Sequence, residues 1–120
     1  MKLNTLQVAT SRYTLAPLLY LSVLISFPVM AVDEASQFAL GKKLFTQSSA
    51  PACVLCHTLK DAGASGAVGP VLDELKPDAQ RVAKALRNGI GQMPSYRASL
   101  SEVQILALAH YVSKASGAAN

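Results

Sequence analysis

Cys53-Val54-Leu55-Cys56-His57 contains both cysteines of a 120-residue chain and sets a histidine directly behind the second. Two thiols three residues apart admit several chemistries, and the imidazole beside them separates these. A structural disulfide suits an exported protein, but a bridge across so short a loop removes little entropy from the denatured chain and leaves His57 without a part. A thioredoxin-like dithiol needs a strand, a helix and a second strand around it, a pattern missing here. Zinc requires four nitrogen or sulfur ligands, and beyond the motif the chain after residue 31 offers only His110.

The reading that employs all three side chains is covalent attachment of haem. In C-x-x-C-H the two sulfurs form thioethers with the haem vinyl groups, and the histidine is thereby held beneath the iron as its proximal ligand. One helical turn between the cysteines matches the spacing of the two vinyl-bearing edges, and a neutral imidazole is able to coordinate near neutral pH. One motif implies one haem c, bound through Cys53 and Cys56.

Thioether attachment takes place outside the cytoplasm, and the start of the chain agrees. Residues 1 to 12 carry Lys2 and Arg12 without an acid, and residues 13 to 32, YTLAPLLYLSVLISFPVMAV, carry no charge. A basic start, an apolar run and then Val29-Met30-Ala31, with small or medium side chains at the two positions a signal peptidase reads, make a secretory signal, with cleavage expected after Ala31. The rival is a retained membrane anchor, because the uncharged run is nearly long enough to cross about 30 Å of hydrocarbon. Pro17 and Pro28 interrupt a helix there, and Asp33-Glu34 follows without basic stop-transfer residues. The expected domain is residues 32–120, in the bacterial periplasm. Its nine Lys and Arg against seven acids leave a formal charge of +2, too little to argue for nucleic acid. A domain this small is marginal on its own core, so a covalently held group would also serve as a staple.

A six-coordinate carrier needs a second axial ligand, normally Met or His. After residue 31 the candidates are Met93 and His110. Ile105, Leu108, Ala109 and Val112 fall at i, i+3, i+4 and i+7 of a C-terminal helix, and His110 lies about 200° beyond Leu108 on that wheel, away from the stripe. His110 is therefore expected on the surface. Met93 sits in Gly89-Ile90-Gly91-Gln92-Met93-Pro94, between helices, where Pro94 restrains it to an extended backbone. Met93 is the favoured ligand, with His57 opposite.

The pattern predicts an all-α fold of three main helices with crossing ends. The first, about 35 to 47, gathers Phe38, Gly41, Leu44 and Phe45. The second, about 78 to 88, gathers Val82, Ala85 and Leu86 and stops at Asn88-Gly89. The third starts at Ser101 with Gln104 as capping-box partner and Leu100 and Ile105 as a hydrophobic staple. Residues 59 to 71 are small and turn-rich and read as a loop over one haem edge. No repeat or second domain appears.

These residues together resemble the class I cytochromes c, small single-haem electron carriers, over about Phe38 to Ser113. Gly41 and Phe45 look like the glycine and aromatic of that family's first helix, and Leu108 and Tyr111 like the residues that cross over it. The resemblance implies that the Pro70 carbonyl in Gly69-Pro70 accepts a hydrogen bond from His57, fixing its ring, and that Leu72 walls the haem. The run CVLCHTLKDAGASGAVGPVLDELKPDA also resembles small periplasmic cytochromes that take electrons from a molybdenum sulfite dehydrogenase.

The resemblance implies an electron carrier and not an enzyme, taking single electrons from a periplasmic dehydrogenase towards an oxidase or another cytochrome. The alternatives are a redox subunit held permanently by a dehydrogenase, and a five-coordinate haem protein that binds a diatomic gas or reduces peroxide. The last needs an unbound Met93 and a distal acid or base, and residues 90 to 98 offer only Gln92, Ser95, Tyr96 and Arg97. Lys42, Lys43, Lys60, Lys76, Arg81, Lys84, Arg87 and Arg97 are candidates for a basic docking rim, set against an ordinary solvated surface.

Overall fold

A computed structural model describes residues 33–48 and 51–118. The expected signal segment and its cleavage point after Ala31 lie outside the described residues. Among the described residues four α-helices run in the order α1 Glu34–Lys43, α2 Leu72–Leu75, α3 Ala79–Asn88 and α4 Glu102–Ala115, and a hairpin of two-residue strands, β1 Thr58–Leu59 and β2 Ala64–Ser65, lies between α1 and α2. The hairpin is antiparallel, with Thr58 opposite Ser65 and Leu59 opposite Ala64. No helix among the described residues is long and apolar enough to cross a membrane.

α1 starts where the Asp33 carboxylate accepts from the Ser36 N–H, with Glu34 in its first turn and Lys42 and Lys43 in its last, signs that suit the helix dipole. The expected helix to residue 47 is α-helical only to Lys43, and Leu44–Ser48 form a π-helical turn. The Thr46 hydroxyl donates to the Lys42 carbonyl at 2.9 Å, a side-chain bond of the kind that competes with the helix ladder. The wider turn buries Leu44 and Phe45 together.

α4 matches its expected start. Ser101 and Gln104 form both bonds of the capping box, and Leu100 and Ile105 on either side of it are buried. α4 packs on α1 along one flank and on α3 along the other. The α1 crossing is tight at Gly41, where a Cβ would collide with the Ala107 carbonyl and with Tyr111 Cβ. The glycine thus faces Ala107 and Tyr111, and Leu108 is buried in the adjoining core. Tyr111 stands edge-on to Phe38 and Phe45, with centroids 5.0 and 5.8 Å away.

α3 is capped by Asp78, whose carboxylate accepts from the Arg81 N–H, and ends at Gly89 with φ 71°. Its packed face is centred on Ala83 and Leu86, with Val82 and Ala85 half-buried, a rotation of the stripe read from sequence. The hairpin and α2 were not expected. Strands of two residues show no alternation, and α2 is a single turn stopped by Lys76 in the left-handed region at φ 45°.

Candidate functional site

The two cysteines and His57 lie on and just after a 3-10 turn, Cys53–Leu55, where the Cys53 carbonyl accepts from both Cys56 N–H and His57 N–H, at 3.2 and 3.0 Å. Cys53 is buried and Cys56 half-buried, and no disulfide joins them. The turn presents the two sulfurs and the imidazole from five consecutive residues, with the Leu55 N–H bonded to the Ala52 carbonyl at 3.1 Å.

His57 is oriented from the other end of the hairpin. Its Nδ1–H donates to the Pro70 carbonyl at 3.0 Å. A carbonyl only accepts, so the proton is on Nδ1 and the lone pair is left on Nε2, the arrangement a metal-binding imidazole requires. Gly69 makes the approach possible. A Cβ there would lie 2.8 Å from His57 Nδ1 and 3.1 Å from Nε2, so any larger residue displaces the ring. Gly66 is confined in the same way, since its Cβ would meet the Cys56–His57 peptide. Backbone bonds from Gly66 N to His57 O (3.2 Å) and from Gly69 N to Cys56 O (2.7 Å) hold the return segment against the motif. Leu72, the first residue of α2, is buried in the main core.

Met93 is half-buried against that core. Its backbone is ordered by more than Pro94: Ile90 and Met93 exchange both of their N–H···O bonds, at 3.0 and 2.9 Å, around Gly91 with φ 56°. Gly89 permits the entry, because a Cβ there would sit 2.8 Å from the Met93 carbonyl. Ser95 Oγ donates to the Arg87 carbonyl at 2.6 Å and Tyr96 N–H to the Leu86 carbonyl at 2.8 Å, closing the loop onto the end of α3.

Tyr96 joins this loop to the cysteine turn, an element that sequence reasoning missed. Its hydroxyl donates to the Pro51 carbonyl at 2.8 Å, two residues before Cys53. Burial pushes the phenol up to about 12. Asp61 was missed as well. Its carboxylate accepts from the Tyr111 hydroxyl at 2.7 Å and lies 3.0 Å from Lys42 Nζ. Those two bonds hold Asp61 below the usual carboxylate range, while burial and the Asp61 bond raise Tyr111.

His110 corrects the surface expectation. Its side chain is 19% exposed, lies edge-on to Phe38 and stands 3.8 Å from a Glu34 carboxylate oxygen. Nε2 is buried without a hydrogen-bond partner among the described residues. The wheel reading assumed one packed face, and α4 has two, so the side away from Leu108 lies against α1. Two of the basic residues considered for a rim are held in ion pairs, Lys42 with Asp61 and Arg87 with Glu102, whose carboxyl is lowered by that contact.

Residues 36–112 match the model of a family described as cytochrome c oxidase, cbb3-type, subunit III. Among solved structures, the chain is similar to the c-type cytochrome SorU from Sinorhizobium meliloti, at 53% sequence identity and a TM-score of 0.67, over 69% of this chain and 94% of that one. A comparison with curated proteins found no match.

Proposed function

We propose, since this chain belongs to the c-type cytochromes, that it is a periplasmic single-haem electron carrier with His57 and Met93 as axial ligands. The observation that carries the reading is the 3.0 Å bond from His57 Nδ1 to Pro70, which leaves Nε2 as the coordinating atom within a C-x-x-C-H turn. Cys53 and Cys56 would hold one haem c by thioethers, and their placement at the start and close of one turn fits that use. Bound in this way, the haem would supply a reversible one-electron change between ferric and ferrous iron, and the Met93 thioether as a ligand would favour the ferrous state and a positive potential.

The chain's own contribution is positional. Pro70 and Gly69 fix one imidazole tautomer and one ring plane, so no proton needs to move at Nδ1 when the electron arrives. The reciprocal Ile90–Met93 pair and the Tyr96–Pro51 bond order the methionine loop in advance, which keeps its rearrangement on electron transfer small. Leu59 and Leu72 are buried in the same apolar core as Cys53.

The proposed donor is a periplasmic dehydrogenase, with a molybdenum sulfite dehydrogenase first in line on the resemblance of the run from Cys53 to Ala79. The basic and apolar start of the chain supports export, as does the attachment of haem by thioethers outside the cytoplasm. The test is to mix the oxidised protein with such a dehydrogenase and sulfite. Reduction of one haem per chain at a rate that turns over the dehydrogenase is expected. Reduction no faster than in a mixture lacking sulfite would remove this donor.

A further inference from the structure

Asp61 belongs to no motif that marks the site, yet it ties the loop between His57 and Pro70 to the helices. It stands in the 3-10 turn Lys60–Ala62. One of its oxygens takes the Tyr111 hydroxyl from α4 and Lys42 Nζ from α1. Tyr111 is a rigid post: its side chain is fully buried, two aromatic rings stand against it, and its Cβ abuts Gly41.

From that turn an unbroken set of hydrogen bonds leads to the imidazole. Gly63 N–H closes the turn on the Lys60 carbonyl, and β1 pairs with β2. Gly66 N–H then bonds to the His57 carbonyl, with Thr58 Oγ1 donating back to Gly66 at 3.0 Å. Gly69 N–H bonds to Cys56, and Pro70 follows. Beyond Pro70 the Asp73 carboxylate accepts from the Lys60 N–H at 2.9 Å, so both ends of the acceptor segment depend on one turn.

We propose that Asp61 is a positioning residue for the His57 imidazole: by clamping the turn to Tyr111 and Lys42, it sets where the Pro70 carbonyl stands and how strongly it accepts from Nδ1–H. A firmer bond there makes Nε2 a more basic ligand and stabilises the ferric form. The inference rests on His57 as the proximal ligand and gives a residue outside the ligand set control over the potential.

The test compares Asp61→Ala, Asp61→Asn and Tyr111→Phe in the haem-bearing protein, by redox titration and by NMR exchange of the His57 Nδ1 proton. The Asn variant keeps an oxygen for the Tyr111 hydroxyl and removes the charge that pairs with Lys42. Asp61→Ala and Tyr111→Phe are expected to raise the potential and to speed proton exchange about tenfold, the scale of one hydrogen bond, while Asp61→Asn exchanges near the wild-type rate. Unchanged exchange and potential in a folded Asp61→Ala protein would overturn the proposal. So would a potential shift equal in Asn and Ala with no change in exchange, since that is an effect of charge alone. If Asp61→Ala does not fold, Tyr111→Phe, which retains the ring, decides by the same comparison. Failure of the ligation itself is seen separately, as a wild-type protein without a paramagnetically shifted imidazole N–H.

Discussion

At Gly69 a single methyl group acts on the ring that the site depends on. Its Cβ would lie 2.8 Å from His57 Nδ1, so Gly69→Ala is expected to part His57 from Pro70 and to cost about 1–3 kcal/mol, the usual toll of overpacking, read from denaturant unfolding. Tyr96 makes a pH prediction. Its pKa is raised from 10.0 to about 12, so the folded state keeps a proton that the unfolded chain releases in that window. Stability should therefore be lost as pH rises from about 10 through 12, and Tyr96→Phe should flatten that slope while costing about 1 kcal/mol at neutral pH. Asp61 has the opposite sign. Its lowered pKa contributes stability above the ordinary carboxylate value and loses it as pH falls through the lowered one, so Asp61→Asn should reduce the steepness of acid unfolding below about pH 4. The single turn that carries Cys53, Cys56 and His57 was legible because the motif is local in sequence, whereas the Pro70 carbonyl on His57 was expected from the resemblance alone. Tyr96 and Asp61 were not legible, since their partners lie 45 and 50 residues away and nothing local marks the pairing.

Among the elements, α4 was legible to its first residue because a capping box is a local signal in side-chain chemistry. Ser101→Ala should lower stability by about 1 kcal/mol, measured as a shift in the urea midpoint at unchanged slope. The π-helical end of α1 left no such signal, because Leu44-Phe45 reads as ordinary helix until the Thr46 hydroxyl takes the Lys42 carbonyl. His110 shows the limit of a helical wheel: the periodicity found the stripe facing the core and could not show that α1 covers the side beyond it. The crossing itself is exacting. Gly41→Ala pushes α1 from Ala107 and Tyr111 and through Tyr111 disturbs Asp61, so calorimetry should show a loss of about 1–3 kcal/mol. The Met93 loop was placed correctly between α3 and α4, but its order comes from the reciprocal Ile90–Met93 bonds as well as from Pro94.

For the whole molecule, one apolar core joins α3 and α4 and the turn after α1 to the segment from Cys53 to Leu75, with Cys53, Leu59, Ala64 and Leu72 in the same cluster as Phe45, Leu86, Tyr96 and Tyr111. Hydrogen bonds from Tyr96 to Pro51 and from Tyr111 to Asp61 tie the methionine loop to the start of the cysteine turn and α4 to the loop after it, cross-links that suit exchange of an electron with little rearrangement. The central claim is that His57 and Met93 together leave the iron no open position. Absorbance of the exported protein, oxidised and then dithionite-reduced, with and without carbon monoxide, tests it most directly. A low-spin reduced spectrum that carbon monoxide leaves unchanged, and that becomes sensitive to carbon monoxide in Met93→Ala, is the predicted result. Ready binding of carbon monoxide by the wild type would contradict it and move the protein to the gas-binding or peroxide-reducing class.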